Sequence, residues 1–139
     1  MTVYVYRRRV QWGDADPAEM AYTVRFLDFA MDAIDSWYRD EIGCDWFTLN
    51  VERQFGSPAV HLELDFKAPL RPGDEIEIRV FVEKVGTSSV TLRFDGRFTD
   101  GRPVYEGCIV NVFVDRESLR SAPIPSDMKA RIEAYAASQ

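Results

Sequence analysis

WGDADPAEMAYTVRFLDFAMDAIDSWYRDEI, residues 12–42, is the stretch whose reading decides the fold. It opens with a polar turn carrying two carboxylates, Asp14 and Asp16, and runs on into a long helical pattern. From Arg25 onward the polar residues are Arg25, Asp28, Asp32, Asp35 and Arg39, spaced alternately three and four apart, which places them on one narrow stripe of a 3.6-residue helix. Between them stand Phe26, Leu27, Phe29, Ala30, Met31, Ala33, Ile34, Trp37 and Tyr38, so most of the helix surface is apolar. Such a helix must be wrapped, and the rest of the chain has to supply the wrapping.

The flanks read as strands. Thr2 to Gln11 alternates and is rich in Val and Tyr, although Arg7, Arg8 and Arg9 interrupt it, either as a solvated strand face or as a contact for a ligand phosphate. Gly43 suits the C-terminal cap of the helix, and Cys44 to Ser57 reads as an irregular connection with a short strand. Pro58 to Lys67 alternates, with Val60, Leu62, Leu64 and Phe66 on one face. The segment following the Pro69–Asp74 turn alternates likewise, with Ile76, Ile78, Val80 and Val82 on one face. After the turn Gly86–Ser89 comes a strand with Val90, Leu92 and Phe94 on one side. A hairpin signal at Asp100-Gly101 leads to Val104–Val114, apolar on both faces and expected inside the sheet with cover on both sides. Asp127 to Ala137 closes the chain as a modest helix. Strand, long helix, four antiparallel strands and a short helix make an α+β layer arrangement, one domain over residues 1–139. An uncovered sheet face and edge then call for a second copy.

Composition narrows the function. A net charge of −6 disfavours nucleic acid as a partner. No apolar run approaches the ~20 residues that span a bilayer. The first residues carry their charges after the apolar ones, unlike a secretory signal, so with only two cysteines, Cys44 and Cys108, a reducing cytoplasmic setting is expected. Neither cysteine has partners at metal spacing, and no metal is expected. The lone histidine, His61, sits mid-strand as an ordinary strand residue. There is no nucleophile elbow, phosphate-binding loop or dinucleotide fingerprint.

Carboxylates and backbone amides remain. Asp16 precedes Pro17, and Glu19 follows three residues later, so Asp-Pro-Ala-Glu reads as a capping box on a helix beginning at Pro17. The same geometry sets a carboxylate beside free helix amides that can hold a developing oxyanion, which is what acyl transfer requires. A thioester fits best, because its thiolate leaves without a strong general acid.

GDADPAEMAYTVRFLDF, residues 13–29, resembles the signature of the 4-hydroxybenzoyl-CoA thioesterase family, roughly G-D-x-D-P-A-G followed by an aromatic helix start. The similarity continues through VERQFGSPAVHLELDFKAPLRPGDEIEI (51–78), VGTSS (85–89) and RSAPIP (120–125). The resemblance implies the hotdog fold, a five- or six-stranded antiparallel sheet around one long helix. It further implies hydrolysis of an acyl-CoA, with CoA as part of the substrate and no other cofactor, at the interface of a homodimer or homotetramer. On that pattern Asp16 is nucleophile or general base, the amide of Thr23 or Tyr22 forms the oxyanion hole, and Ser57 lies near the scissile carbonyl. Lys84 with Gly86, Thr87 and Ser88 would contact CoA phosphates. Glu19 stands where relatives carry glycine; it either closes the capping box or joins the catalytic group as a second charge acting on Asp16, and it puts a hydroxybenzoyl specificity in question. Two other readings stay open: a non-catalytic acyl-CoA-binding protein, and an enoyl-CoA hydratase or dehydratase.

Overall fold

The computed structural model describes residues 2–139; Met1, the first residue of the expected domain, lies outside the described residues. Five strands form one antiparallel sheet: β1 (Tyr4–Arg9), β3 (Ala59–Phe66), β4 (Glu75–Val85), β5 (Ser89–Phe98) and β6 (Pro103–Val112), in the order β1-β4-β5-β6-β3. Two-residue strands β2 (Phe55–Gly56) and β7 (Val114–Asp115) pair separately. Helix α1 (Thr23–Trp37) lies in the concave face, and α2 (Ser126–Ser138) packs against β4. This is the hotdog arrangement. None of the described helices is long and apolar enough to cross a membrane.

Helix α1 follows the polar stripe closely. Phe26, Phe29, Ala30, Ala33, Ile34 and Trp37 are buried, whereas Arg25, Asp32 and Arg39 are exposed. Ala30 and Ala33 at the contact let the helix axis approach the sheet, whose inner face supplies Ile76, Ile78, Val80, Leu92, Phe94 and Ile109. A five-residue π turn, Tyr38–Ile42, ends the helix at Gly43, whose φ of 83° is the left-handed cap conformation. The rings of Phe94 and Tyr105 need two glycines beneath them. A Cβ on Gly107 would lie 2.4 Å from the Glu63 carbonyl oxygen and 2.5 Å from Phe94, and one on Gly96 would lie 2.4 Å from Tyr105. At the other side Tyr135 of α2 donates its hydroxyl to the Val80 carbonyl at 2.5 Å.

Two expectations need correction, and one alternating face lies open. The helix begins at Thr23 with Tyr22 as its N-cap, not at Pro17, so Asp16 and Glu19 form no capping box. Local signals favoured Pro17, but the Ala15–Ala21 bridge and the Ala21 amide, held at 2.7 Å by the Leu70 carbonyl, keep the chain extended until Tyr22. The apolar face of β3 is largely open, with Leu64 alone packed against the core cluster. Val60, Leu62 and Phe66 are 63, 41 and 47% exposed, because β3 is an edge strand. Finally, β6 is interior to the sheet, but among the described residues neither α1 nor α2 packs extensively on it. There Cys108 is buried beside Glu83 and Arg93, whose long stems supply part of the cover.

Candidate active site

The residues between β1 and α1 form a tight loop that presents Asp16. The Asp16 amide donates to the Met20 carbonyl at 2.9 Å and the Glu19 amide to the Asp16 carbonyl at 2.9 Å, closing the loop on itself. Asp16 Oδ1 accepts from the Ala18 amide at 2.9 Å, an Asx turn that fixes the carboxylate's direction. Oδ2 accepts no hydrogen bond among the described residues. Glu19 is exposed with φ 61°, in the left-handed region that glycine adopts freely. The glycine of the resembled pattern therefore has a backbone reason at this position, independent of any reaction.

Asp16 opens onto a cleft of about 420 Å³ that also includes Met20, Thr23, Phe26, Phe66 and Lys67. Thr23 begins α1, and the first amides of a helix have no intrahelical acceptor. No side chain caps this end. The two amides proposed for an oxyanion separate here: the Tyr22 amide donates to the Asp14 carbonyl at 3.0 Å, so the Thr23 amide is the one left for a ligand. Phe26 and Phe66 meet edge to face at 5.1 Å and form an aromatic wall, and Lys67 brings a cation. The cleft thus combines an aspartate side chain with one free oxygen, an uncapped helix start, an apolar wall and a lysine.

The other expected residues lie elsewhere in the chain. Ser57 lines a second cavity, of about 470 Å³, with Met31, Trp46, Pro58, Asn111 and Val114, and its carbonyl accepts from Asn111 Nδ2 at 2.7 Å. The turn after β4 is at that same end: the Ser88 carbonyl accepts from the Phe113 amide at 2.7 Å and the Thr87 carbonyl from the Ile124 amide at 2.9 Å. The Gly86 amide donates to Ser89, while Lys84 is exposed. The Asp16 loop, by contrast, adjoins the start of β4 through Val10 and Asp74. At roughly 3.3 Å per residue, the length of β4 sets the two ends about 30 Å apart. Within one chain, then, Asp16 and Thr23 share a cleft, Ser57 lines another cavity, and the Gly86–Ser88 turn lies toward the Ser57 end without lining that cavity.

His61 hydrogen-bonds Glu63 at 2.8 Å on the exposed edge strand and shares no cleft with Asp16. Among the described residues no group of three His, Cys, Asp or Glu side chains is placed to hold a metal. Two features went unread in the sequence. Lys67 falls on the charged face of the alternating pattern, yet it lies at the end of β3, beside the loop. Arg8 faces inward, with its guanidinium 4.7 Å over the Phe29 ring and bonded to Asp14; the only signal was the second carboxylate of the D-x-D pair.

Comparison with known proteins bears on this geometry. The family model described as the Thioesterase-like superfamily matches residues 10–132. A solved thioesterase superfamily structure from Jannaschia sp. CCS1 is 36% identical, covers 96% of this chain and 93% of its own, and superposes with a TM-score of 0.88. A 1,4-dihydroxy-2-naphthoyl-CoA hydrolase of Synechococcus elongatus is 24% identical over 133 residues, 93% of this chain and 94% of that protein. A hydrolase of the same name from Picosynechococcus sp. is 31% identical over 80 residues, 58% of this chain, and the match spans about half (54%) of that protein's length.

Proposed function

The chain belongs to the Thioesterase-like superfamily, and on that premise we propose that it hydrolyses an acyl-CoA thioester to the free acid and CoA. The observation that carries this reading is Asp16 in one cleft with Thr23, the uncapped first residue of α1. The thioester carbonyl oxygen accepts from the Thr23 amide, which stabilises the negative charge that develops as the carbonyl is attacked. One such donor is worth roughly 2.7–4 kcal/mol in the barrier.

Asp16 serves in one of two ways, both built from the same groups. As nucleophile, a carboxylate oxygen bonds to the carbonyl carbon, the C–S bond breaks, CoA leaves as thiolate, and water then cleaves the mixed anhydride. As general base, Asp16 takes a proton from a water whose oxygen attacks the same carbon, and that proton passes to the departing thiolate. Oδ1 is held by the Ala18 amide, which leaves Oδ2 to act.

We read the substrate as a hydroxylated aromatic acyl-CoA. Two relatives are named for a dihydroxynaphthoyl-CoA, and the second cavity, with Trp46, Met31, Pro58 and Val114, offers apolar walls for a ring. Use of both groups of residues on one substrate requires a second copy. The exposed apolar edge of β3 supports such pairing: two copies antiparallel along β3 set the Ser57 end of one beside the Phe66 end of the other. Ser57 would then approach the carbonyl held at Asp16 and Thr23, and Lys84 with Gly86–Ser88 would lie near the CoA phosphates. Within one chain His61 lies outside the Asp16 cleft, so the hydratase reading has no histidine beside Asp16 there, and turnover of an enoyl-CoA would favour it.

A thiol-release screen across short, long and hydroxyaryl acyl-CoAs tests the proposal. Turnover is expected, greatest with hydroxyaryl acyl groups. Binding without turnover of any member would favour the non-catalytic acyl-CoA-binding protein instead.

A further inference from the structure

Asp14 is charged, yet only 7% exposed. Its Oδ2 accepts from the Gln11 amide at 2.8 Å, and its two oxygens lie 3.3 and 3.1 Å from Arg8 Nη2. Its carbonyl accepts from the Tyr22 amide at 3.0 Å. One residue therefore holds both the entry and the exit of the loop that carries Asp16. Arg8 in turn is fixed from below by the buried Phe29 ring and flanked by Asp32, whose Oδ2 is 3.9 Å from Nη1. A largely buried ion pair adds little net stability over an apolar replacement, but it does specify geometry. The geometry specified here has a direct consequence: the Tyr22 amide is consumed, and the next amide, that of Thr23, is left open to the cleft.

We propose that the Arg8–Asp14 pair is a positioning device, holding the loop so that the Asp16 carboxylate and the Thr23 amide address one carbonyl. The inference rests on the hydrolase reading above. Neither residue lines the Asp16 cleft, so substrate affinity does not depend on them directly. Loss of the pair acts on the alignment of reacting groups, where a shift of about 1 Å can cost on the order of 100-fold.

The test combines kinetics with amide hydrogen exchange on Asp14→Ala, Asp14→Asn, Arg8→Gln and the Arg8→Gln/Asp14→Asn double variant. Asp14→Ala is expected to lower kcat by about 100-fold with KM nearly unchanged, as for a group acting only on the transition state. Exchange at Tyr22 and through residues 15–21 is expected to quicken while the amides of β4 and the middle of α1 stay protected. The double variant, which leaves no lone buried charge, is expected to recover part of the kcat lost in Arg8→Gln. Unchanged kcat, a rise in KM alone, unchanged exchange at Tyr22, or unfolding of all four variants would each overturn the proposal. If the wild type hydrolyses no acyl-CoA while Asp14→Ala still frees the loop, the anchoring is supported and the hydrolase reading is what fails.

Discussion

Glu19→Gly separates a conformational role from a chemical one at the residue where this chain departs from the resembled pattern. Glu19 holds φ 61°, a conformation that costs an L-residue roughly 1–2 kcal/mol relative to the right-handed region. Glycine removes that cost but enlarges the unfolded ensemble, which costs about 0.4–1 kcal/mol. The difference is a net stabilisation of about 0.5–1 kcal/mol. With roughly 2.1 cal/mol/K of unfolding entropy per residue and 139 residues, Tm rises by about 2–3 °C. The Glu19 side chain is exposed and forms no hydrogen bond or ion pair among the described residues, so hydrolysis is expected to hold within about twofold of wild type for a surface change of this kind. Glu19→Ala is the control, because it removes the carboxylate and keeps the strained φ: it is expected to leave both Tm and activity in place. Calorimetry gives the first quantity and thiol release the second. A lower Tm for Glu19→Gly, or a tenfold loss of rate in Glu19→Ala, would refute the conformational account and return Glu19 to the chemistry.

Three further outcomes follow from the packing and electrostatics. Gly107→Ala drives a methyl into the Glu63 carbonyl and the Phe94 ring and is expected to destabilise by about 1–3 kcal/mol in denaturant titration. Burial pushes the Asp14 carboxyl up, but the Gln11 amide and the Arg8 guanidinium outweigh it, and with Arg25 they hold it below the usual carboxylate range. A carboxyl depressed in the folded state contributes stability that is fully present above its unfolded pKa of about 3.9 and lost as pH falls through the folded value. Melting curves from pH 7 down to about 2 should therefore show a shallower acid loss for Asp14→Asn than for wild type. Leu62→Lys places a charge on the exposed β3 edge and, on the proposed pairing of two copies along β3, is expected to shift sedimentation toward the monomer, with hydrolysis falling in step.

The long helix and the inner faces of β4 and β5 were legible because each has one covered side and one period, so local pattern and burial coincide. Neighbour order was not, since alternation reports a residue's face and not its partner strand: β3 and β4 are consecutive yet sit apart, with β3 on β6 and β4 on β1. The same limit hid the edge status of β3, whose Val60, Leu62 and Phe66 look like core in sequence and lack a cover in the chain. Asp16 stood out through the D-x-D-P turn and Thr23 entered through the resemblance, and one cleft holds both, but the start of the helix was misplaced because Asp-Pro fits a cap locally while the Ala21–Leu70 hydrogen bond acts over distance. Arg8 reads as one of three surface arginines, and only the packing on Phe29 and Asp14 shows its direction. Ser57 and the Gly86 turn were grouped with Asp16 by resemblance, whereas one chain holds them at the opposite end.

The central claim is that Asp16 is the reactive carboxylate. Asp16→Asn keeps the size of the side chain and an oxygen for the Ala18 amide, so the loop is expected to keep its shape and its melting temperature. Thiol release from the best acyl-CoA, measured on this variant beside wild type, tests the claim most directly. A loss of at least about 100-fold in kcat with the fold intact is expected, as befits removal of a group that acts on the reacting atoms. Activity within a few-fold of wild type would contradict it.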